Sequence, residues 1–174
     1  MKQLRRYRWL LFIGALLFLS ACGFRLRGEA VTLPAEWHHI AISFGDKLSS
    51  HNGLVGALER RLQETYGVHI ELNGVAKVPR IELIAEKFDT PVSALDTYGR
   101  ASEYLLEYSV RFRFVDADGK PLKEPGRIYL RREQSYNSAH ILAKQRESDE
   151  LKQGLREIAA DRIVERLASI VRQP

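Results

Sequence analysis

From Tyr104 to Phe114 the chain alternates for more than ten residues. Tyr104, Leu106, Tyr108, Val110, Phe112 and Phe114 fall on one side, and Glu107, Ser109, Arg111 and Arg113 on the other. A strand that is apolar on one side only belongs to a sheet buried on that side, as antiparallel sheets allow. The pattern predicts a long strand over about 102–115. Asp116-Ala117-Asp118-Gly119 then reads as a turn, with a return strand over about 127–136 that points Ile128 and Leu130 inward. That strand also carries Arg127, Arg131, Arg132 and Glu133. Charge there either blunts an exposed sheet edge or faces a partner, and the pattern does not choose between the two.

Upstream, Ile40, Ile42 and Phe44 alternate within His39–Phe44 and predict a first strand. Leu54, Val55, Leu58, Leu62 and Tyr66 recur at helical spacing, with Ser49, Ser50 and Asn52 as N-cap candidates and Gly67 placed for a left-handed C-cap. Val68, Ile70 and Leu72 alternate briefly before an Asn73-Gly74 turn. A further strand over about 80–88 is expected to point Ile81, Leu83 and Ala85 one way, and Pro91 to Gly99 reads as a loop or irregular strand end. A final helix is expected behind Ser148 as N-cap, with Leu151, Leu155, Ile158, Ala159, Ile163, Leu167 and Ile170 as its apolar stripe. Lys152, Arg156, Glu157, Arg162 and Glu165 are expected on its solvated sides. One apolar stripe per helix and one apolar sheet face predict an α+β two-layer sandwich. Two helices would pack on one face of a mostly antiparallel four-stranded sheet.

The first residues follow a different grammar. Lys2, Arg5, Arg6 and Arg8 precede an apolar stretch from Trp9 to Leu19, and Ser20-Ala21 leads into Cys22, the only cysteine. A basic start, a short apolar middle and small residues at its end describe a secretory signal peptide. A spanning helix would need roughly 20 mainly apolar residues, and Arg25 and Arg27 interrupt too early. A cysteine at the cleavage point resembles the lipobox of bacterial lipoproteins. The reading is therefore a signal peptide over 1–21, a lipidated tether over 22–36 with Cys22 as the acylated residue, and one domain over 37–174. More than one acyl chain is needed for stable anchoring, which a triacylated cysteine would supply. Gly23, rather than Asp, after the cysteine points to the outer membrane.

Charge then loses its apparent message. The net charge is +5, from 27 Lys and Arg against 22 Asp and Glu. Without the four basic residues of the signal segment, 23 face 22. A near-neutral chain without a nucleic-acid motif excludes nucleic-acid binding on charge grounds. No histidine pair has metal-ligand spacing, no Gly-x-Ser-x-Gly elbow occurs, and there is no phosphate-binding glycine loop. The reading predicts no enzyme, no metal and no cofactor.

Three segments carry a family resemblance: Cys22-Gly23-Phe24-Arg25-Leu26-Arg27-Gly28 at the mature start, Gly99-Arg100-Ala101-Ser102-Glu103-Tyr104 leading into the long strand, and Tyr136-Asn137 with Leu142-Ala143-Lys144 and Glu147 before the last helix. In order and spacing they resemble the LptE family of lipopolysaccharide-assembly lipoproteins. The resemblance implies a helices-on-sheet fold seated in the lumen of the LptD outer-membrane β-barrel, acting as plug and assembly partner and binding lipopolysaccharide without covalent chemistry. It implies an outer-membrane location, anchored by lipid, with the domain in the barrel lumen or facing the periplasm. It marks Arg100, Lys144 and Arg146 as candidates for lipopolysaccharide phosphates, with Arg131 and Arg132 secondary. Lys144 and Arg146 are expected in the join before the last helix. An auxiliary lipoprotein of a lipid-transport ABC system is the alternative, to be separated by the partner that co-purifies.

Overall fold

The structure is a computed structural model that describes residues 33–45, 53–135 and 141–171. Its elements run β1 (His39–Phe44), α1 (Leu54–Tyr66), β2 (His69–Leu72), β3 (Arg80–Asp89), β4 (Val92–Leu95), β5 (Ala101–Val115), β6 (Gly126–Ser135) and α2 (Ile141–Val171), after a 3-10 turn at Ala35–Trp37. The strands form one six-stranded sheet among the described residues. β1 pairs in parallel with both β2 and β3, while β5 pairs antiparallel with β3, β4 and β6. The two-layer α+β expectation holds. The expected four-stranded, mostly antiparallel sheet is instead six-stranded and mixed.

The connections explain the mixture. β1 and β2 are joined through α1, and a crossover helix returns the chain in the direction it started, so the two strands are parallel. Gly67 ends α1 in the left-handed region at φ 62, donating its N–H to Gln63 O at 2.8 Å. Asn73 (φ 50) then turns the chain away from β2, and its side-chain oxygen accepts from Phe44 N. The N-cap of α1 is Gly53 without a side-chain cap; Ser49, Ser50 and Asn52 lie outside the described residues. Of the two readings left open for Pro91 to Gly99, a loop or an irregular strand end, the strand is what forms over Val92–Leu95. It continues the β3 edge after Pro91 and pairs Val92 with Tyr104.

The covered face of the sheet is lined by Ile40, Ile42, Ile81, Leu83, Leu106, Tyr108, Val110, Phe112, Phe114, Ile128 and Leu130. Leu54, Val55, Leu58 and Leu62 of α1 are buried with them, as are Leu155, Ala159, Ala160, Ile163, Val164, Leu167 and Ala168 of α2. The helices are also tied to each other by Arg60–Glu157 and Arg61–Asp161 ion pairs, both at 2.6 Å.

A bulge corrects the expected facing of β3. Register shifts between Leu83 and Ala85, so Ala85 pairs with outward Arg111 while Glu86 and Phe88 pair with inward Val110 and Tyr108. An extra residue reverses which positions face in. Glu86 is thereby placed under α2. It accepts from the Tyr108 hydroxyl at 3.0 Å and from Arg156 Nε at 2.9 Å. Arg156, expected in solvent, also lies 5.1 Å over the Phe88 ring, which stacks on Tyr108.

Burial, and then the Glu86 charge, push the Tyr108 phenol well above the ordinary tyrosine range. The folded state therefore holds a proton that the unfolded chain releases near pH 10. The stability this proton lends is fully present below that pH and falls as pH rises above it. Urea denaturation between pH 9 and pH 11 should show a steeper loss of stability for the wild type than for Tyr108→Phe. Parallel losses would show that Tyr108 does not titrate in that way.

Candidate functional site

The uncovered sheet face and the β4–β5 end hold the exposed chemistry. Residues alternate across a strand, so the uncovered face carries Glu107, Ser109, Arg111 and Arg113 of β5, and Arg127, Tyr129, Arg131 and Glu133 of β6. Arg113 reaches Glu82 Oε2 with Nε at 2.9 Å, so this pair is an internal tie. Arg111 and Arg127 are different. They are direct cross-strand partners, and neither has a carboxylate within ion-pair distance among the described residues. Like charges directly opposed cost stability, so an anion would relieve the pair. Tyr129 stands between Arg127 and Arg131, whose guanidiniums lie 5.9 and 4.8 Å from its ring centroid. A shallow open hollow of about 490 Å³ lies here, lined by Lys87, Asp89, Glu107, Ser109, Arg127 and Tyr129.

At the end of the sheet, Asp96 organises the turn from β4 into β5. Its carboxylate accepts from Tyr98 N at 2.8 Å, from Arg100 N at 2.9 Å and from Arg100 Nε at 2.9 Å. The backbone hydrogen bond from Arg100, foremost, holds the Asp96 carboxyl below the usual carboxylate range. Arg100 also lies 5.2 Å over the Tyr98 ring, with its side chain 74% exposed. Val92, Leu95 and Tyr98 are exposed beside it, Tyr98 to 81%. Apolar surface and a positive charge therefore share one short hairpin.

α2 points its beginning toward that hairpin. Arg156 lies over Phe88 near the middle of the sheet, whereas Ile170 and Val171 share a hollow with Asp116 and Asp118 at the far end. The helix thus runs in the direction of β5. Lys144 lies about 18 Å before Arg156 along the axis, toward the Arg100 end. Lys144 and Arg146 sit in the first turns of α2 rather than in a join, and Ser148 is inside the helix rather than capping it. Residues 144–150 are polar and lie ahead of the buried stripe, so they show no apolar periodicity. Lys144 bonds Glu147 at 2.8 Å; Arg146 is exposed and forms no ion pair among the described residues.

Arg131 and Arg132 separate. Arg131 faces the uncovered side, 3.5 Å from Glu107 and donating to the Tyr129 hydroxyl at 3.0 Å. Arg132 pairs with Leu106 and points to the other face, where it is exposed. The five candidate cations therefore do not form one cluster. Arg111 and Arg127 were not marked by the sequence as site candidates, though alternation already placed Arg111 outward. Cys22, the signal segment and the tether lie outside the described residues, apart from the tether's last positions. Among the described residues no helix is long and apolar enough to cross a membrane.

Two helices lie on one face of a mixed sheet, and an exposed hairpin sets apolar side chains beside the Asp96–Arg100 ion pair. The chain belongs to the LptE family, whose model, described as lipopolysaccharide-assembly, matches residues 38–167. It is 30% identical over 156 residues to the LPS-assembly lipoprotein LptE of Photorhabdus laumondii, covering 90% of this chain and 82% of that protein. Rare lipoprotein B of Shewanella oneidensis shares the fold with TM-score 0.63 at 28% identity, covering 75% of this chain and 94% of that one. Lipoprotein B of Nitrosomonas europaea superposes with TM-score 0.71 at 24% identity, over 87% and 94% of the two chains. Membership supports a role in lipopolysaccharide transport and assembly.

Proposed function

We propose that the chain is a lipid-anchored outer-membrane protein that plugs the LptD barrel, assists its assembly and binds lipopolysaccharide in passage. Family membership supports the assembly role. The observation that carries the ligand role is the β4–β5 hairpin, where Val92, Leu95 and Tyr98 are exposed next to Arg100. Isolated exposed apolar residues are ordinary. Three such residues on one short hairpin, beside an exposed guanidinium, suit an amphiphile with acyl chains and phosphates. Arg binds phosphate in bidentate fashion, and Lys144 and Arg146 would approach from the start of α2. Arg131 and Arg132 would act as outlying contacts on opposite faces. The fit to a barrel rests on polarity: barrel interiors are polar, and this domain presents charged side chains on its uncovered sheet face and on both helices.

Two measurements test the proposal. Lipidated protein, purified from detergent-solubilised envelope, should bring down a large β-barrel and lose its acyl label in Cys22→Ala. Recovery of a membrane ATPase complex without a barrel would overturn the partner assignment. Arg100→Glu with Lys144→Glu should weaken lipopolysaccharide binding by about tenfold or more, with circular dichroism unchanged. Binding equal to wild type would remove both residues from the ligand site.

A further inference from the structure

The β1–β2 edge brings His39 together with His69 and Glu71, which lie about thirty residues further along the chain. His39 and His69 are direct partners in the parallel ladder. Glu71, two residues beyond His69, points to the same face. The Nε2 of His39 lies 2.8 Å from Glu71 Oε1, and the two imidazoles meet edge to face with centroids 4.9 Å apart. One ligand atom from each of the three lies within 4.8 Å of the others. The sequence shows no such spacing, because α1 separates His39 from His69 along the chain and only strand register unites them.

We propose that His39, His69 and Glu71 form a binding site for a divalent first-row metal, zinc in particular. Two imidazoles and a carboxylate are a recognised zinc ligand set, and such sites keep a fourth position open. Tetrahedral ligands about 2.0–2.1 Å from zinc are roughly 3.3 Å from one another. His39 and Glu71 are already closer than that. His69 needs only a small side-chain rotation, which its exposure permits. The backbone under the site is fixed: His69 N donates to His38 O at 2.8 Å, and the ladder continues to Leu72. The turn after β2 leaves room for the carboxylate, since a side chain at Gly74 would strike Glu71. The nearest cation in the same row is Arg80, which pairs through Ala41 and directs Nη2 to Ala76 O at 3.5 Å. With His39 43% and Glu71 32% exposed, water can complete the coordination. Bound metal would clasp the four-residue edge strand β2 to β1.

The test uses the full chain in detergent and zinc chloride alone as probe. Calorimetry should give one zinc per chain, and nitrogen-15 spectra should show the His39 and His69 ring nitrogens shifting on titration. His69→Gln and Glu71→Gln should each weaken binding at least about tenfold, since altering even groups that only support a ligand costs that much. Zinc should raise the thermal midpoint of the wild type and not of His69→Gln. Absence of zinc binding, or affinity unchanged in both variants because other histidines hold the metal, would overturn the proposal. Circular dichroism of each variant, whose exposed or half-buried side chains carry no core packing, separates lost binding from lost folding.

Discussion

Glu86→Ala is expected to destabilise the domain by about 3 kcal/mol, the lower end of the range for breaking a buried ion pair. The Glu86 side chain is only 11% exposed, and its carboxylate serves two donors, the Tyr108 hydroxyl and Arg156 Nε. Tyr108 is fully buried, so its hydroxyl would be left without a partner. Arg156 would be left charged at the helix–sheet interface, though its 25% exposure gives it some water, which is why the lower figure applies. For a domain of this size the change corresponds to a fall in thermal midpoint of roughly 6–12 °C. The control is Glu86→Leu with Arg156→Met and Tyr108→Phe, which removes all three polar groups together. Replacing a whole buried polar set by apolar groups is often neutral, so the triple variant should return to within about 1 kcal/mol of wild type. Urea denaturation measures both. A loss under about 1 kcal/mol in Glu86→Ala, less than a single unsatisfied buried group costs, would show that the carboxylate does not tie α2 to the sheet.

Local pattern revealed whatever depended on one-sided burial. β5 has one face against the helices and one against solvent, so its alternation states its facing directly; α1 and the buried stripe of α2 are legible for the same reason. Three features depended on pairing between distant segments. The parallel arrangement of β1 and β2 follows only once His39–Phe44, α1 and the brief alternation at 68–72 are taken as one crossover unit. β4 follows Pro91 and has only four residues, two of them small, so pairing with β5 rather than its own pattern makes it a strand. The bulge at Ile84 shows in the sequence only as the apolar run Leu83-Ile84-Ala85, which does not say which residue is extra, yet it decides that Glu86 and not Ala85 lies under α2. The candidate site divides in the same way. Arg100 and Lys144 were marked by family resemblance, and the structure adds that each is held by a neighbouring carboxylate, Asp96 or Glu147. The opposed Arg111 and Arg127, and the His39–His69–Glu71 group, exist only in the register of paired strands.

Phe112→Ala should cost about 3–5 kcal/mol, as expected for truncating a buried aromatic side chain. Phe112 is 1% exposed, meets Phe114 edge to face at 5.2 Å between centroids, and has Arg166 5.8 Å above its ring. Its cross-strand partner is Gly126, the first residue of β6. A Cβ at Gly126 would sit 2.6 Å from Phe112 Cζ, well inside van der Waals contact. The glycine is therefore required by the ring rather than by backbone conformation, and Gly126→Ala alone should cost about 1–3 kcal/mol by overpacking. In the double variant the clash is gone and the added methyl occupies part of the hole. The combined cost should then fall short of the sum by about 1 kcal/mol or more, as for residues that share one cavity. Urea denaturation of the two single variants and the double variant closes the cycle. Strict additivity would mean that the start of β6 shifts to accommodate the added methyl without help from the ring, and that the close approach of Gly126 to Phe112 does not fix where the β5–β6 ladder begins.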